Sequence, residues 1–215
     1  MRQIDIDTWP RREHFNLYNS FEFPHFTLCA NVDLTNLLSF VREKRVSLNV
    51  AIIYLVTRAA NQIPEFRYRI RSGSVIEHEV VHPSTTILGK DDVFSFCTLN
   101  YTTDFSQFLS RALEKIACVQ KRPRLLEEDQ QRDDLLFMTA IPWVSFTSIM
   151  HPMRLLPEDS VPRFAWGKYF EEGSKIKMPL SVQGHHALMD GLHAGRFYEE
   201  VQQTFHDPKT VITGV

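Results

Sequence analysis

The sequence predicts an α/β protein, an α+β two-layer sandwich in which helices pack on a mixed β-sheet. Stretches with apolar residues at every second position, typical of strands, alternate with stretches whose apolar residues recur three and four apart, typical of helices. The clearest junction lies in residues 175–205, where a histidine pair and an Asp-Gly step separate a predicted strand from a predicted helix. This junction is the expected site of the chemistry.

The size and charge of the chain restrict the possible classes of function. With 215 residues, 43% of them hydrophobic, the chain can bury a full core and is expected to form a single domain over residues 1–215. Its 24 basic and 26 acidic residues give a net charge of −2, which offers no electrostatic footprint for nucleic acid or an anionic membrane. The expected partner is a small molecule or another copy of the chain.

The lack of a recognisable targeting signal and the pattern of cysteines together favour a cytosolic location. The first residues lack the apolar core of a signal peptide, and no stretch approaches the roughly 20 apolar residues of a spanning helix. Cys29, Cys97 and Cys118 are odd in number and widely spaced in apolar contexts. They are expected to be reduced core thiols rather than disulfides or metal ligands.

The first part of the chain predicts an arm, a strand and two helices. Residues 9–21 mix aromatic and basic side chains without a clear period, and we expect a turn-rich arm lying across another part of the protein. A strand is predicted at residues 26–32. Asp33 is a suitable N-cap for the first helix, and Ser47 for a second, buried helix that ends before Pro64.

A hairpin is predicted after residue 66. Arg67, Arg69 and Arg71 alternate with apolar residues, and the turn sequence at residues 72–74 is Ser-Gly-Ser. A row of arginines suggests phosphate binding, but regular alternation with apolar residues is more typical of a solvated sheet face. We therefore expect these arginines to face solvent.

The middle of the chain alternates between strands and one helix. Further strands are predicted at residues 85–88, 94–99, 135–146 and 164–170. Asp104 is the expected N-cap of a helix that runs into an exposed, charged loop at residues 121–134. Pro142 should interrupt the strand at residues 135–146, and Trp143 beside it is interpreted as a core aromatic.

The junction itself combines a strand, a tight turn and a helix. Apolar residues alternate through residues 176–182, although Pro179 within this run argues for a sheet edge or a bulge. After Asp190, one apolar stripe defines the helix, formed by Ala194, Phe197, Val201 and Phe205. The histidine pair is therefore expected to lie where the strand ends.

His186 is the candidate general base. A histidine in a constricted turn can be held by its own backbone, which leaves its outer ring nitrogen neutral and basic near pH 7. His185 is expected to have a structural role, and His193, on the following helix, to be a surface or packing residue. A buried Asp190 would stabilise the turn if a cation reached it.

Three blocks of residues resemble the classical (type A) chloramphenicol acetyltransferase family, over residues 9 to about 205. The turn fits the family signature HxxxDG, here residues 186–191, preceded by the same extra histidine and by a PLSVQ strand at residues 179–183. The N-terminal pattern WxRxxHFxxY is matched by Trp9, Arg11, His14, Phe15 and Tyr18, and AxPWxxF by Ala140, Pro142, Trp143 and Phe146. The resemblance implies the chloramphenicol acetyltransferase-like fold.

The resemblance also implies a reaction. Acetyl would pass directly from acetyl-CoA to a hydroxyl of chloramphenicol or a related small acceptor, without an acyl-enzyme and without a metal, and so confer antibiotic resistance. His186 would be the general base, and Thr139, where the family usually has serine, would stabilise the oxyanion. Asp190 and Arg11 hold the positions of a structural ion pair.

Binding sites and assembly follow from the same resemblance. Lys168 and Tyr169 would line the coenzyme A site, while Leu17, Tyr18 and Phe94 would line the acceptor pocket. A homotrimer is implied, with active sites at subunit interfaces, so that His186 of one subunit faces the acceptor pocket of its neighbour. Leu17 replaces a customary aromatic residue and Ala165 a threonine, which leaves open whether chloramphenicol or a related alcohol is the acceptor.

Two other functions remain open. The catalytic core of a dihydrolipoyl acyltransferase also uses HxxxDG and coenzyme A, although the sequence has no lipoyl module and no linker rich in proline and alanine. A non-catalytic trimer could instead bind or sequester a hydrophobic small molecule, in which case His186 would only stabilise its own turn. Turnover of acetyl-CoA separates these classes.

Overall fold

Two β-sheets organise the protein, one of seven strands and one of three. The structure is a computed structural model that describes residues 1–125, 132–154 and 159–215. Its strands are β1 Arg2–Ile4, β2 His25–Asp33, β3 Tyr68–Arg71, β4 Ser74–Glu77, β5 His82–Leu88, β6 Phe94–Thr98, β7 Leu135–Ile141, β8 Arg163–Gly167, β9 Phe170–Glu172 and β10 Lys175–His185.

The large sheet has the order β2-β10-β8-β7-β5-β6, with β9 paired to β10, and the small sheet has the order β1-β4-β3. Strands β5, β7 and β8 pair in parallel, whereas the remaining pairs are antiparallel. The sheet is therefore mixed, and the predicted fold class is confirmed.

Five α-helices accompany the sheets in the described ranges. They are α1 Arg12–Tyr18, α2 Thr35–Lys44, α3 Leu48–Gln62, α4 Phe105–Lys121 and α5 Gly191–His206. Two of the three predicted caps are present: Ser47 accepts a hydrogen bond from the Val50 amide and Asp104 from the Gln107 amide. The prediction of Asp33 as a cap is wrong, because Leu34 is the N-cap residue of α2 and Asp33 still belongs to β2. The helix α1 was not predicted, because its residues have no regular apolar period. No helix in the described parts is long and apolar enough to cross a membrane.

One face of the large sheet packs against α2, α3, α4 and α5. Met138, Phe164 and Val182 lie opposite one another on adjacent strands and join the main apolar core together with Phe197 of α5. The opposite face, here called the outer face, bears the row formed by Ser181, Ala165, Thr139, Thr86 and Phe96. Alternation along each strand thus separates the core from a second, more polar surface.

The expectation that Pro179 marks a sheet edge is wrong. Strand β10 is an interior strand, because β2 pairs with it on one side and β8 and β9 on the other. Residues 175–177 pair with β9 and residues 180–183 with β8, so Pro179 falls between the two pairings. Proline is tolerated there because no donor is required on that side.

The expectation of solvent-facing arginines is met by Arg71. It is wrong for Arg67, whose side chain is 16% exposed and pairs with Glu77, and for Arg69. The Arg69 side chain is fully buried and donates hydrogen bonds to the carbonyls of Phe66, Tyr68, Asp133 and Leu135. Burial lowers the pKa of Arg69 to about 10, although nearby acidic residues oppose this shift. Backbone carbonyls satisfy the guanidinium, so alternation with apolar residues did not signify exposure.

The strand expected at residues 135–146 is shorter than predicted. Strand β7 ends at Ile141, because Pro142 cannot donate to the ladder and the chain leaves the sheet there. Trp143 is 68% exposed, so its interpretation as a core aromatic is wrong. Of the predicted loop at residues 121–134, residues 126–131 lie outside the described residues.

Candidate active site

The turn between β10 and α5 is closed by backbone hydrogen bonds. The His185 carbonyl accepts from the amides of Leu188 and Met189, and the His186 amide donates to the Pro24 carbonyl at 2.7 Å. A side chain at position 184 would force the buried Met189 side chain to move, because a Cβ there would overlap it. These contacts fix the backbone on which the His186 ring is mounted.

Arg11 connects the N-terminal arm to this turn. Its Nη1 donates to Asp190 Oδ2 at 2.6 Å and its Nη2 donates to the His186 carbonyl at 3.2 Å. Burial alone would raise the pKa of Asp190, but the hydrogen bond from Arg11 holds it below its ordinary value. Arg11 thus binds both ends of the five-residue turn.

The His186 ring is held by aromatic packing. It stacks on Tyr18 with ring centroids 4.0 Å apart and 3° between planes, and Phe26 approaches it at 5.1 Å. The side chain is half-buried, and within the described ranges neither ring nitrogen has a hydrogen-bond partner; Nδ1 is buried. The expectation that the ring's own backbone holds it is therefore not met, and stacking takes this role.

His193 is more than the surface or packing residue expected from the sequence. It is the N3 residue of a capping box: the Asp190 amide donates to His193 Nδ1 at 3.1 Å, and the ring's Nε2 lies 3.4 Å from Glu65. The ring is buried. Its position three residues after the N-cap Asp190 was the signal in the sequence, although that position usually holds Glu or Gln.

His185 is buried beside the turn. Its Nδ1 accepts a 3.3 Å hydrogen bond from the Ala187 amide, and its ring meets His25 edge-on at 4.8 Å. Burial, supported by the nearby His25 and His186, lowers the pKa of His185 to about 3. The ring is therefore neutral near pH 7 and acts as an internal hydrogen-bond acceptor.

The small sheet supports the turn from beneath. Ala187 and Leu188 are fully buried in a second apolar cluster with Phe15 of α1 and Tyr68 of β3. Trp9 packs edge-on against Tyr68 at 5.7 Å and extends this cluster along the arm. The N-terminal arm, including helix α1, therefore packs against the turn together with the small sheet.

Thr139 lies on the outer face of β7, away from this turn. Its hydroxyl is 2.9 Å from the hydroxyl of Thr86 on β5. Phe94 opposes Leu88 at the start of β6 and shares the outer face with Thr86, and its side chain is 46% exposed. A hydroxyl pair and an exposed aromatic ring therefore occupy the same part of the sheet.

His186 and Thr139 of one chain are far apart. Thr139 lies opposite Ala165 and hence level with Ser181, two strands away, while His185 lies four residues further along β10. Spacings of about 3.3 Å per residue and 4.8 Å between strands separate the backbones of His185 and Thr139 by roughly 16 Å. One chain does not bring the two side chains to one reacting centre.

The predicted acceptor residues divide between these two regions. Tyr18 stacks on His186 of its own chain, and Leu17 precedes it on the same helix with 53% exposure. The expectation that Tyr18 faces a neighbour's histidine from the other subunit is therefore wrong, because the arm carries it to the turn of the same chain. Phe94 is the residue of this group on the Thr139 side.

Lys168 and Tyr169 lie in the connection between β8 and β9, and both are exposed. The Lys168 amide donates to the Val144 carbonyl at 2.9 Å, which ties this connection to the segment after β7. An exposed lysine beside an exposed aromatic ring suits an anionic group joined to a flat heterocycle. Among residues 1–125, 132–154 and 159–215, no cluster of side chains is arranged to hold a metal ion.

Comparison with known proteins identifies close relatives. A sequence model of the family named chloramphenicol acetyltransferase matches residues 1–202. The chain is 33% identical over 201 residues to a chloramphenicol acetyltransferase from Klebsiella sp, covering 93% of this chain and 91% of that protein. A chloramphenicol acetyltransferase from Bacillus pumilus is 32% identical over 199 residues, with coverages of 92% and 90%.

Solved structures show the same fold. A chloramphenicol acetyltransferase superimposes with a TM-score of 0.82 and 25% identity, over 95% of this chain and 100% of that one. A dihydrolipoamide acetyltransferase from Azotobacter vinelandii superimposes with a TM-score of 0.71 and 18% identity, over 93% and 88%. The second likeness concerns the fold alone.

Proposed function

The chain belongs to the chloramphenicol acetyltransferase family and is an acetyltransferase, and we propose that it moves acetyl from acetyl-CoA to a hydroxyl of chloramphenicol or a related acceptor. The observation that carries this proposal is the half-buried His186 ring on a turn closed by Arg11 and Asp190. A rigid backbone and a ring with no hydrogen-bond partner among the described residues suit a general base.

His186 acts on the acceptor. Nε2 takes the proton of the hydroxyl as its oxygen attacks the thioester carbonyl, which requires the proton of the neutral ring to reside on Nδ1. The protonated ring then gives its proton to the departing thiolate, so acetyl moves from sulfur to oxygen, free coenzyme A is released and His186 is regenerated. Stacking on Tyr18 keeps the ring oriented through both transfers.

Thr139 stabilises the charge that develops on the carbonyl oxygen. A preorganised hydroxyl donor directed at that oxygen lowers the barrier, because it needs no reorganisation during reaction. The separation of about 16 Å between the His185 and Thr139 backbones supports contributions from two chains to each site. We therefore propose a homotrimer with its active sites at the subunit interfaces, with His186 and Tyr18 from one subunit and Thr139 and Phe94 from its neighbour.

Coenzyme A binds through Lys168 and Tyr169 in this proposal. The lysine would neutralise phosphate and the tyrosine would stack on the base, while the bound thioester supplies the activated acetyl group. The expectation that all three cysteines are core thiols is wrong for Cys118, which is exposed, whereas Cys97 is buried and Cys29 half-buried. All three are free thiols, as a reducing compartment would keep them. On this basis we also propose a cytoplasmic location.

The acceptor is best defined by a panel of alcohols. Purified protein is mixed with acetyl-CoA, and release of free thiol is followed with chloramphenicol, with hydroxylated relatives and with an analogue whose hydroxyl is replaced by fluorine. We expect turnover with the hydroxyl compounds and none with the fluorinated analogue. Binding without thiol release would identify a non-catalytic binding protein, whereas turnover only with dihydrolipoamide would indicate an acyltransferase of that type.

A further inference from the structure

Two threonine hydroxyls form an isolated pair on the outer face. Thr86 Oγ1 and Thr139 Oγ1 are 2.9 Å apart, on the parallel strands β5 and β7. Within the described residues, neither hydroxyl has another hydrogen-bond partner. The two side chains are partly exposed, so both are accessible to a bound substrate.

The surroundings of this pair are apolar on both sides along the row. Ala165 lies opposite Thr139 on β8, and Phe96 lies opposite Thr86 on β6. Beyond Ala165, the hydroxyl of Ser181 is fully buried and has no partner among the described residues. The Thr86 hydroxyl is thus the polar group next to Thr139 in this row.

The number of hydroxyl protons determines which threonine of the pair donates the hydrogen bond. A hydroxyl has one proton to donate and can accept two hydrogen bonds. If Thr139 donated to Thr86, it would have no proton left for an oxyanion. If Thr86 donates to Thr139, the Thr139 proton is free to point into the site, and the bond from Thr86 makes Thr139 a stronger donor.

We propose that Thr86 is a positioning residue that donates a hydrogen bond to Thr139 and thereby turns the Thr139 proton toward the reacting carbonyl. This inference rests on the proposed oxyanion role of Thr139. The β-branched Thr139 has few rotamers on a strand, so a fixed partner on one side selects the orientation of its hydroxyl. The oxyanion donor is then a two-residue unit built across strands β5 and β7.

The test is a set of variants that change one hydroxyl at a time. Thr86→Val replaces the hydroxyl by a methyl group of similar size, and Thr86→Ser keeps the hydroxyl. Thr98→Val is the matched control. Thr98 lies on β6, on the same outer face of the sheet as Thr86, and its hydroxyl donates a hydrogen bond to Ser84 at 3.3 Å. Thermal unfolding checks that each variant folds, and Thr86→Ala substitutes for a valine variant that does not fold.

We expect Thr86→Val to lower kcat about 3- to 10-fold, with KM for both substrates unchanged, as for loss of one hydrogen bond used only in the transition state. Thr86→Ser and Thr98→Val should keep kcat. In a Thr139→Val background, Thr86→Val should cause no further loss, because its partner is already absent.

Three results would overturn the inference, and they differ in what else they affect. If Thr139→Val lowers kcat but Thr86→Val does not, the role of Thr86 is excluded and the proposed function stands. An equal loss from Thr86→Val with and without the Thr139 hydroxyl would exclude action through Thr139. If Thr139→Val itself leaves kcat unchanged, or the wild-type protein shows no turnover, both the pair and the proposed oxyanion role are rejected.

Discussion

The Asp190 carboxylate accepts a 2.6 Å hydrogen bond from Arg11, a residue 179 positions earlier in the chain. The same guanidinium donates to the His186 carbonyl. The Arg11 side chain therefore joins the start of helix α1 to the turn before α5. The stability of the fold and the orientation of the candidate base therefore depend on a common contact.

Asp190→Asn should destabilise the protein more than it impairs chemistry. Asparagine can still cap α5, so the change removes chiefly the charge opposite Arg11. The pair is partly exposed, so we expect a loss of about 2–4 kcal/mol in unfolding free energy, at or below that for a fully buried pair. Urea unfolding measures it, with Asp104→Asn, an N-cap outside this pair, as the control. Normal unfolding with an altered pH–rate profile would contradict it.

His186→Ala should abolish most turnover while coenzyme A still binds. General-base catalysis is worth about 10²- to 10⁴-fold in rate, and the ring does not lie in the proposed coenzyme A site. Steady-state kinetics and equilibrium binding of coenzyme A test the two parts separately. His206→Gln, at the exposed end of α5, is the control and should keep full activity. Retention of more than about a tenth of the rate in His186→Ala would exclude the assignment.

Thr139→Ala should lower kcat with little change in KM. Loss of one oxyanion donor costs up to about 10²- to 10³-fold in kcat. Thr139→Ser keeps the donor and removes only the methyl group, so we expect it to remain close to wild type. Single-turnover acetyl transfer is the measurement, and an unchanged rate in Thr139→Ala would assign oxyanion stabilisation to other donors, such as backbone amides.

Mixed trimers should distinguish which residues share a chain. His186→Ala and a variant blocked at Phe94, each inactive alone, should regain activity when dissociated and reassembled together, because some interfaces then pair intact halves. His186→Ala mixed with a variant blocked at Tyr18 should stay inactive, because His186 and Tyr18 stack within one chain. Refolding each variant with wild type controls for a mutation that inactivates the whole assembly. Recovery with the Tyr18 variant would contradict the proposed division.

His185 should make the fold sensitive to acid. Because burial lowers its pKa from 6.5 to about 3, the unfolded chain binds a proton that the folded protein excludes between these values. Its contribution to stability is complete above pH 6.5 and is lost as the pH falls toward 3. His185→Asn keeps an acceptor for the Ala187 amide and cannot ionise, so its unfolding free energy should fall less steeply, by up to about 1.4 kcal/mol per pH unit. Parallel curves for the two proteins would refute this.

The sequence predicted most elements because their periods were clear. Strand β10, helix α5, and the caps at Ser47 and Asp104 needed only local patterns, and the structure has them. The ion pair of Arg11 with Asp190 was expected only from the family resemblance, since no local pattern links residues so far apart. Its presence shows that the resemblance carried tertiary information that periodicity did not.

The failures have a common physical origin. The burial of Arg69 depends on carbonyls supplied by Asp133 and Leu135, which are distant in sequence, and the capping role of His193 depends on its ring orientation. The stacking of Tyr18 on His186 likewise depends on the path of the N-terminal arm through the fold, which local sequence patterns do not reveal. Alternating patterns report which residues face one side of an element, but not which partners tertiary structure brings to them.

The long sequence separation of Arg11 and Asp190 also sets an order of events during synthesis. At about 5–20 residues per second, Arg11 is synthesised roughly 9 to 36 s before Asp190. During this interval the apolar side chains of Trp9 and Phe15 lack the turn residues Ala187 and Leu188 that later cover them. The contact between Arg11 and Asp190 therefore forms only after the chain has been made as far as the start of α5, so shielding of the N-terminal segment by a chaperone should raise the yield of folded protein.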